Sequence, residues 1–172
     1  VTLSLTVEQI PVYRFSFTGQ YVVATDSAPG ATTLTAWQQP KVATNANTTA
    51  FSLHSFGAKL TELSIDLANA DVQRPVIGAA TEVFITDRKP AGSVTVDAST
   101  MADKNWFSIV EAATLGALAI THGPAANQVQ INATKVQLTQ PRYGEREGVM
   151  TVQMGLILVP TAGNDEIEIV IL

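Results

Sequence analysis

The residues best able to do chemistry in this chain are few, and their spacing does not assemble a catalytic centre. The sequence holds two histidines and no cysteine, which excludes thiolate zinc sites, cysteine nucleophiles and disulfides. His54 and His122 lie far apart, and neither stands in a metal-binding pattern such as His-x-x-x-His. No serine stands in the Gly-x-Ser-x-Gly pattern of a hydrolase nucleophile. We therefore predict no enzyme activity, no metal and no organic cofactor.

Charged residues in two predicted turns are the candidate contacts between subunits. The first turn, residues 87–92, follows a strand, and its acid–cation pair is interpreted as a salt-bridged turn or an intersubunit contact. The second, residues 140–148, is predicted to be a charged hairpin tip whose charges of both signs suit complementary contacts. The candidate contact residues are Asp87, Arg88, Arg142, Glu145 and Arg146. Glu166 and Glu168 are interpreted instead as solubilising charges on an edge strand.

Composition excludes several broad classes of protein. The chain has 172 residues, of which 46% are hydrophobic, so it can bury a core. Its formal charge is 10 − 15 = −5, which argues against binding nucleic acid or an anionic membrane by bulk charge. No stretch approaches the ~20 apolar residues of a membrane-spanning helix. The chain starts at Val1 inside a strand-like alternation, so we expect further residues upstream in the natural protein.

Alternation of apolar and polar residues with period 2 dominates the sequence and predicts a mainly β fold. The same pattern recurs from end to end, with valine and threonine abundant, as on pleated and half-buried surfaces. The predicted strands cover residues 1–7, 12–23, 60–67, 93–97, 129–131, 136–138, 152–158 and 166–171, with a break at 132–133.

A single segment departs from this alternation. Apolar residues recur three or four apart over residues 103–114, which predicts an amphipathic helix within about 102–114. Thr100 or Asp103 is the expected N-cap of this helix, and Gly116 is expected to end it.

The chain is divided into three parts by its composition. Residues 1–24 are predicted to be the closing hairpin of a preceding tube-like unit or the first strands of the domain. A weak internal echo between residues 1–25 and 136–161 favours the first alternative. Residues 25–49 form a polar loop or linker, in which 37–49 has no clean period and is predicted to be a further contact element between subunits. Residues 50–172 form the main β domain.

Two stretches resemble the core of phage major tail tube proteins. The first is FITDRKPAGSVTV at residues 84–96, followed by the Trp106–Phe107 helix. The second is KVQLTQPRYGEREGVM at residues 135–150, continued by LVPTAGNDEI at 158–167. The resemblance is strongest from about residue 50 to the end of the chain, and its motifs are structural rather than catalytic.

This resemblance implies a β-sandwich or barrel-like domain with a flanking helix, related to the type VI secretion tube protein. Copies would form stacked rings around a channel through which DNA passes without specific binding, as part of a virion or prophage. The helix and loops would contribute to ring contacts, which transfers here to residues 87–92, 103–114 and 140–148. The implied partners are copies of the chain and other tail proteins, with no membrane, and assembly would take place in the host bacterial cytoplasm. Six single-domain chains or three duplicated chains would close a ring.

A different class of function is an Ig-like or carbohydrate-binding β-sandwich of a tail or adhesin. Such a module usually displays exposed aromatic residues, for which Trp37 is the best candidate in the sequence. A small hydrolase on a β scaffold is a third class, but no nucleophile and base can be paired.

Overall fold

The structure is a computed structural model that describes residues 1–28, 30–35 and 38–172. Trp37, the candidate exposed aromatic, and Pro29, in a predicted turn, lie outside the described residues. Within them the elements are β1 (Thr2–Thr6), β2 (Val12–Arg14), β3 (Thr48–Leu53), β4 (Leu60–Asp66), β5 (Asn69–Arg74), β6 (Glu82–Arg88), β7 (Ala91–Asp97), α1 (Trp106–Glu111), β8 (Leu115–His122), β9 (Val129–Arg146), β10 (Val149–Leu158) and β11 (Glu168–Ile171).

Nine of the strands form one antiparallel sheet that curls into a half-barrel. The order is β2-β1-β4-β7-β10-β9-β8-β3, and β11 pairs with the start of β9. The predicted mainly β, barrel-like fold is thereby confirmed. β1 lies in this sheet beside β4, while the domain boundaries at residues 24 and 49 stay predictions.

The core lies on the concave face of the curled sheet. Alternate residues of each central strand point inward, as the period-2 pattern predicts. The inward residues that are almost fully buried include Leu3, Leu5, Leu63, Ile65, Val94, Val96, Leu118, Ile120, Val136, Leu138, Val152, Met154, Leu156 and Leu158. Hydrophobic burial on this one face therefore holds the eight-strand path together.

A two-stranded hairpin of β5 and β6 extends beyond the half-barrel. It is inserted between β4 and β7, which pair with each other at Asp66 and Ala91. Gly92 allows this close pairing, because a Cβ at that position would collide with the carbonyl oxygen of Ser64. Apolar side chains of this hairpin, such as Ile77 near its tip and Ile85 within β6, are exposed.

The predicted helix is present, but it is shorter than its pattern. It covers Trp106–Glu111, and its N-cap is Asn105, whose side-chain oxygen accepts a hydrogen bond from the Ser108 amide at 3.0 Å. The expected caps were wrong, because Thr100 and Asp103 instead hydrogen-bond each other in the preceding turn. Gly116 does not end the helix and lies in β8.

The predicted strand over residues 12–23 was wrong in its length. β2 ends at Arg14, and residues 15–23 have no strand partner within the described chain. In the register with β1, the last residue of β2, Arg14, pairs with Thr2. Several side chains of the following segment, including Phe17 and Tyr21, are exposed.

The predicted break at residues 132–133 was wrong, because both residues pair with β8, and the strand continues through a bulge between Ala133 and Val136. β9 runs without interruption for 18 residues. Its pairing with β8 shifts register between Gly116 and Leu118, opposite Val136 and Ala133. The extra residue changes which side chains point inward, so that Ala133 and Val136 are both buried.

Residues 41–48, here called the strap, close the open side of the half-barrel. Ala43 exchanges two backbone hydrogen bonds of 2.8 Å with the β1–β2 turn, at Glu8 and Gln9. At the other end, the Asn47 carbonyl accepts from the Gly123 amide at 2.8 Å. The polar loop predicted over residues 37–49 is thus largely bonded within the chain, and its role as an intersubunit contact stays a prediction.

Candidate functional site

The hairpin of β9 and β10 projects past its neighbours and carries most of the candidate contact residues. Its turn is Glu147–Gly148, where both residues have positive φ values of 53° and 81°, as a two-residue hairpin turn requires. The predicted charged hairpin over residues 140–148 is present, but its tip is only two residues long and the remainder is strand. β8 begins opposite Gln137. Within the described residues, positions 138–146 of β9 therefore pair with β10 on one side, except at a bulge over 140–141, and with no strand on the other.

Strand geometry divides the candidate charges between two faces of this hairpin. Arg142 and Arg146 share one face, because side chains two apart on a strand point the same way. Glu145 lies on the opposite face, together with Tyr143. The nearest opposite charge to Arg146 is the adjacent Glu147, at 3.8 Å between Nε and Oε1. The two arginines therefore form a cationic face, which the Glu147 carboxylate balances in part beside Arg146.

Exposed apolar side chains surround these charges. Val149 and Met150 are more than half exposed. Tyr143 is about half exposed and packs against Phe107 of α1, with 5.1 Å between ring centroids. An unpaired strand edge flanked by apolar and cationic side chains has the composition of a surface that another chain can cover.

The turn at residues 87–92 is arranged differently from the prediction. Asp87 pairs with Lys89 at 2.7 Å, rather than with its neighbour Arg88. The Lys89 hydrogen bond lowers the pKa of Asp87, and the same contact raises the pKa of Lys89. Both side chains are exposed, so this pair remains accessible to a partner.

The Arg88 side chain forms its contacts within its own chain. Its Nη2 donates to Glu166 Oε2 at 2.8 Å and to Asn164 Oδ1 at 3.0 Å. The Glu166 side chain is 8% exposed, so its interpretation as a solubilising edge charge was wrong. Burial of a carboxylate requires a compensating cation, and Arg88 supplies it. Its role as an intersubunit contact stays a prediction.

A groove of about 450 Å³ opens between the first strands and the β8–β9 end of the half-barrel. Its walls are mainly apolar and include Leu3, Tyr13, Ile120, Val129 and Ile131, with residues 38–41 along the rim. Burial raises the pKa of Tyr13. Among the described residues that line the groove, no acids and bases form a cluster.

His122 holds the strap to the rim of this groove. Its Nε2 lies 3.2 Å from the Lys41 carbonyl oxygen, which can only accept, so Nε2 carries the proton. Nδ1 then accepts from the Thr48 hydroxyl at 3.0 Å. This arrangement gives His122 a structural role. In the part of the chain that the structure describes, no three His, Asp or Glu residues converge as metal ligands would.

His54 is buried against β8, an environment that no pattern in the sequence indicates. Its Nε2 donates to the Val136 carbonyl at 3.0 Å, and Lys104 donates to the His54 carbonyl at 2.7 Å. Gly116 makes room for the ring, because a Cβ at that position would overlap it. Burial lowers the pKa of His54, with a further lowering by the charge of Lys104.

We expect this burial to make the fold less stable in mild acid. Because the folded-state pKa of His54 is lowered, the unfolded chain binds a proton that the folded chain resists. Stability should then fall as the pH drops through about 6.5, the unperturbed value for histidine. Denaturant titrations from pH 8 to 5 should show that the free energy of unfolding falls less steeply in His54→Gln than in the wild type as the pH drops. An equal dependence of the unfolding free energy on pH in the two proteins would contradict the role assigned to His54.

Comparison with known proteins adds no relative to this description. No protein-family model and no curated protein matches the chain. Among the described residues, no helix has the length and apolar character needed to cross a membrane.

Proposed function

We propose that this chain is a structural subunit that assembles with its own copies into stacked rings, forming a tube of the phage tail type. The observation that carries the proposal is the free edge of β9 at residues 138–146, which has no strand partner among the described residues and beside which α1 packs at Tyr143. The two sequence stretches that resemble tail tube proteins support it, since one of them contains this edge. In this proposal the tube belongs to a virion, is assembled in the host bacterial cytoplasm and joins other tail proteins.

The free edge supports assembly for a physical reason. A strand edge exposes unpaired N–H and C=O groups, and proteins either protect such an edge or use it to bind another strand. Edge pairing that repeats around a rotation axis closes a ring, and heterologous contacts between rings extend the stack. Six single-domain chains or three duplicated chains satisfy this symmetry equally well.

The charge of the chain suits a conduit for DNA. A net charge of −5 disfavours the phosphate contacts that would retard a sliding duplex. The cationic face of Arg142 and Arg146 is a local exception to the net negative charge. We assign this face to contacts with acidic groups on a neighbouring subunit.

Reversal of this cationic face is expected to weaken assembly without unfolding the subunit. The variant Arg142→Glu/Arg146→Glu should raise the concentration needed for assembly by at least about tenfold, since charge complementarity steers and orients the contact. Sedimentation and negative-stain imaging of tubes give the measurement.

The matched control is Lys59→Glu/Arg74→Glu, which changes the net charge equally at two exposed cations outside the candidate contact segments. It should assemble as the wild type does. Equal loss of assembly in both variants would indicate a general charge effect, and unchanged assembly in the arginine variant would remove the hairpin from the mechanism.

The groove beside β1 is the observation that favours the alternative, a ligand-binding β-sandwich module of a tail or adhesin. Its volume of about 450 Å³ falls within the range of small-molecule sites. A monomeric protein that binds glycans and never forms rings would support that function over a tube.

A further inference from the structure

Residues 15–23, here called the arm, expose an unusual amount of apolar surface. Phe17 is 87% exposed and Tyr21 is 89% exposed. Phe15, Val22 and Val23 are each more than half exposed. Scattered apolar residues are normal on a surface, but a contiguous set of this size marks an interaction site.

The arm begins as a direct continuation of β2. The rings of Tyr13 and Phe15 stack at 6.3 Å between centroids, and those of Phe15 and Phe17 at 6.0 Å. Such spacing is close to the ~6.8 Å that separates alternate residues on an extended strand. The aromatic side chains therefore stand in a row on one face, and the backbone of this part of the arm is already in a conformation suited to pairing.

The sequence of the arm is nearly symmetric about Gly19. Phe17 and Tyr21 lie two residues on either side of it, and Phe15 and Val23 lie four residues on either side. All of these residues share one face with Gly19, because they are separated by even numbers. An antiparallel pairing of two identical arms brings such positions opposite one another.

We propose that the arm pairs antiparallel with the arm of a second copy, on a two-fold axis through Gly19. Phe17 then lies opposite Tyr21 of the second copy, and Phe15 lies opposite Val23. Aromatic and β-branched residues paired across strands are among the stabilising combinations in sheets. The free edge of β2 continues the same ribbon, so the sheets of the two copies become continuous.

Charge complementarity favours the same register. Arg14 and Asp26 are the charged residues between positions 12 and 26. The pairing places Arg14 opposite Ala24 of the second copy and diagonal to Asp26, an opposite-charge neighbour. No like charges face each other in this arrangement.

The apolar area is sufficient for a modest dimer. Three aromatic side chains per copy carry roughly 450–750 Å², against the ~800 Å² per partner of a standard interface. The two valines and about ten backbone hydrogen bonds between the strands add to this contact. We expect a reversible dimer with a dissociation constant near the micromolar range.

This contact is separate from the proposed ring assembly. A two-fold contact uses the same surface on both copies and closes upon itself. It therefore yields a dimer and does not extend a stack of rings. Arm pairing and tube formation can each occur, or fail, without the other.

Cysteine cross-linking tests the register directly, because the chain has no cysteine of its own. In Gly19→Cys the two-fold axis brings the two Cα atoms to about 4.5–5.5 Å, within the range of a disulfide. In the control Thr18→Cys, each Cα is offset by two residues from its copy, at roughly 8–9 Å. Incubation with oxidised glutathione should cross-link Gly19→Cys at least about tenfold faster than Thr18→Cys.

A charge-swap series tests the same register without cross-linking. Phe17→Lys should shift the sedimentation equilibrium to monomer, while Phe17→Lys/Tyr21→Glu should recover the dimer, since each lysine then faces a glutamate. These side chains are exposed in the single copy, so thermal unfolding should be unchanged. Equal cross-linking rates at positions 18 and 19, or a wild type that stays monomeric at about 100 μM, would overturn the proposal.

Discussion

Replacement of Arg88 by alanine is expected to destabilise the fold by about 2–3 kcal/mol. The substitution leaves the Glu166 carboxylate, which is 8% exposed, without its cation at 2.8 Å. Loss of one partner of a buried ion pair costs ~3–5 kcal/mol, and the partial exposure of Arg88 reduces that figure. Urea denaturation followed by circular dichroism gives the measurement.

The neighbouring pair of Asp87 and Lys89 provides a matched control. Lys89→Ala also removes one cation from the same turn, but both partners are exposed, so little change in stability is expected. The variant Arg88→Leu/Glu166→Leu removes both charges and should recover much of the loss. Equal stability of Arg88→Ala and Lys89→Ala would show that the buried pair does not anchor residues 159–167.

Trp106→Ala is expected to cost ~3–5 kcal/mol, the largest single effect among our predictions. Trp106 is 2% exposed, and its ring meets that of Phe56 edge-on at 5.9 Å. Lys104 lies 5.6 Å from the ring centroid. Removal of the side chain leaves a cavity where α1 joins the half-barrel, and the surrounding sheet can fill it only in part.

Phe107→Ala is the control for this prediction. Its ring contacts Tyr143 near the surface, so its loss should cost clearly less than that of Trp106. Chemical denaturation of both variants gives the comparison. A Trp106→Ala protein as stable as Phe107→Ala would contradict the role of Trp106 as the anchor of the helix.

Alternation in the sequence predicted the inward faces of the strands well. Residues such as Leu63, Ile65, Val94 and Val96 are buried, because period 2 along a strand is set by the local backbone. The same signal failed over residues 15–23, where alternation indicates an extended backbone but carries no information on whether a neighbouring strand is present.

Long-range partners could not be predicted in the same way. Arg88 and Glu166 are separated by 78 residues, and nothing in either local sequence identifies the other. The charged residues between 142 and 146 are evident in the sequence. Their division between two faces could not be predicted, because it depends on β9 continuing as a strand to Arg146. In the sequence, Pro141 and Gly144 favour a turn over a strand. In the structure, the positive φ of Gln140 and the register shift beside it accommodate the proline within the strand.

The uninterrupted β9 has a consequence for the order in which the chain folds. β8, β9 and β10 are consecutive and pair as successive hairpins, so their contacts close short loops and can form early. β1 instead pairs with β4 across an intervening segment that contains the arm and the strap. Closure of that long loop has a higher entropic cost before any pairing compensates for it. We expect the C-terminal hairpins to act as the folding nucleus, with β1 and β2 added to the sheet afterwards.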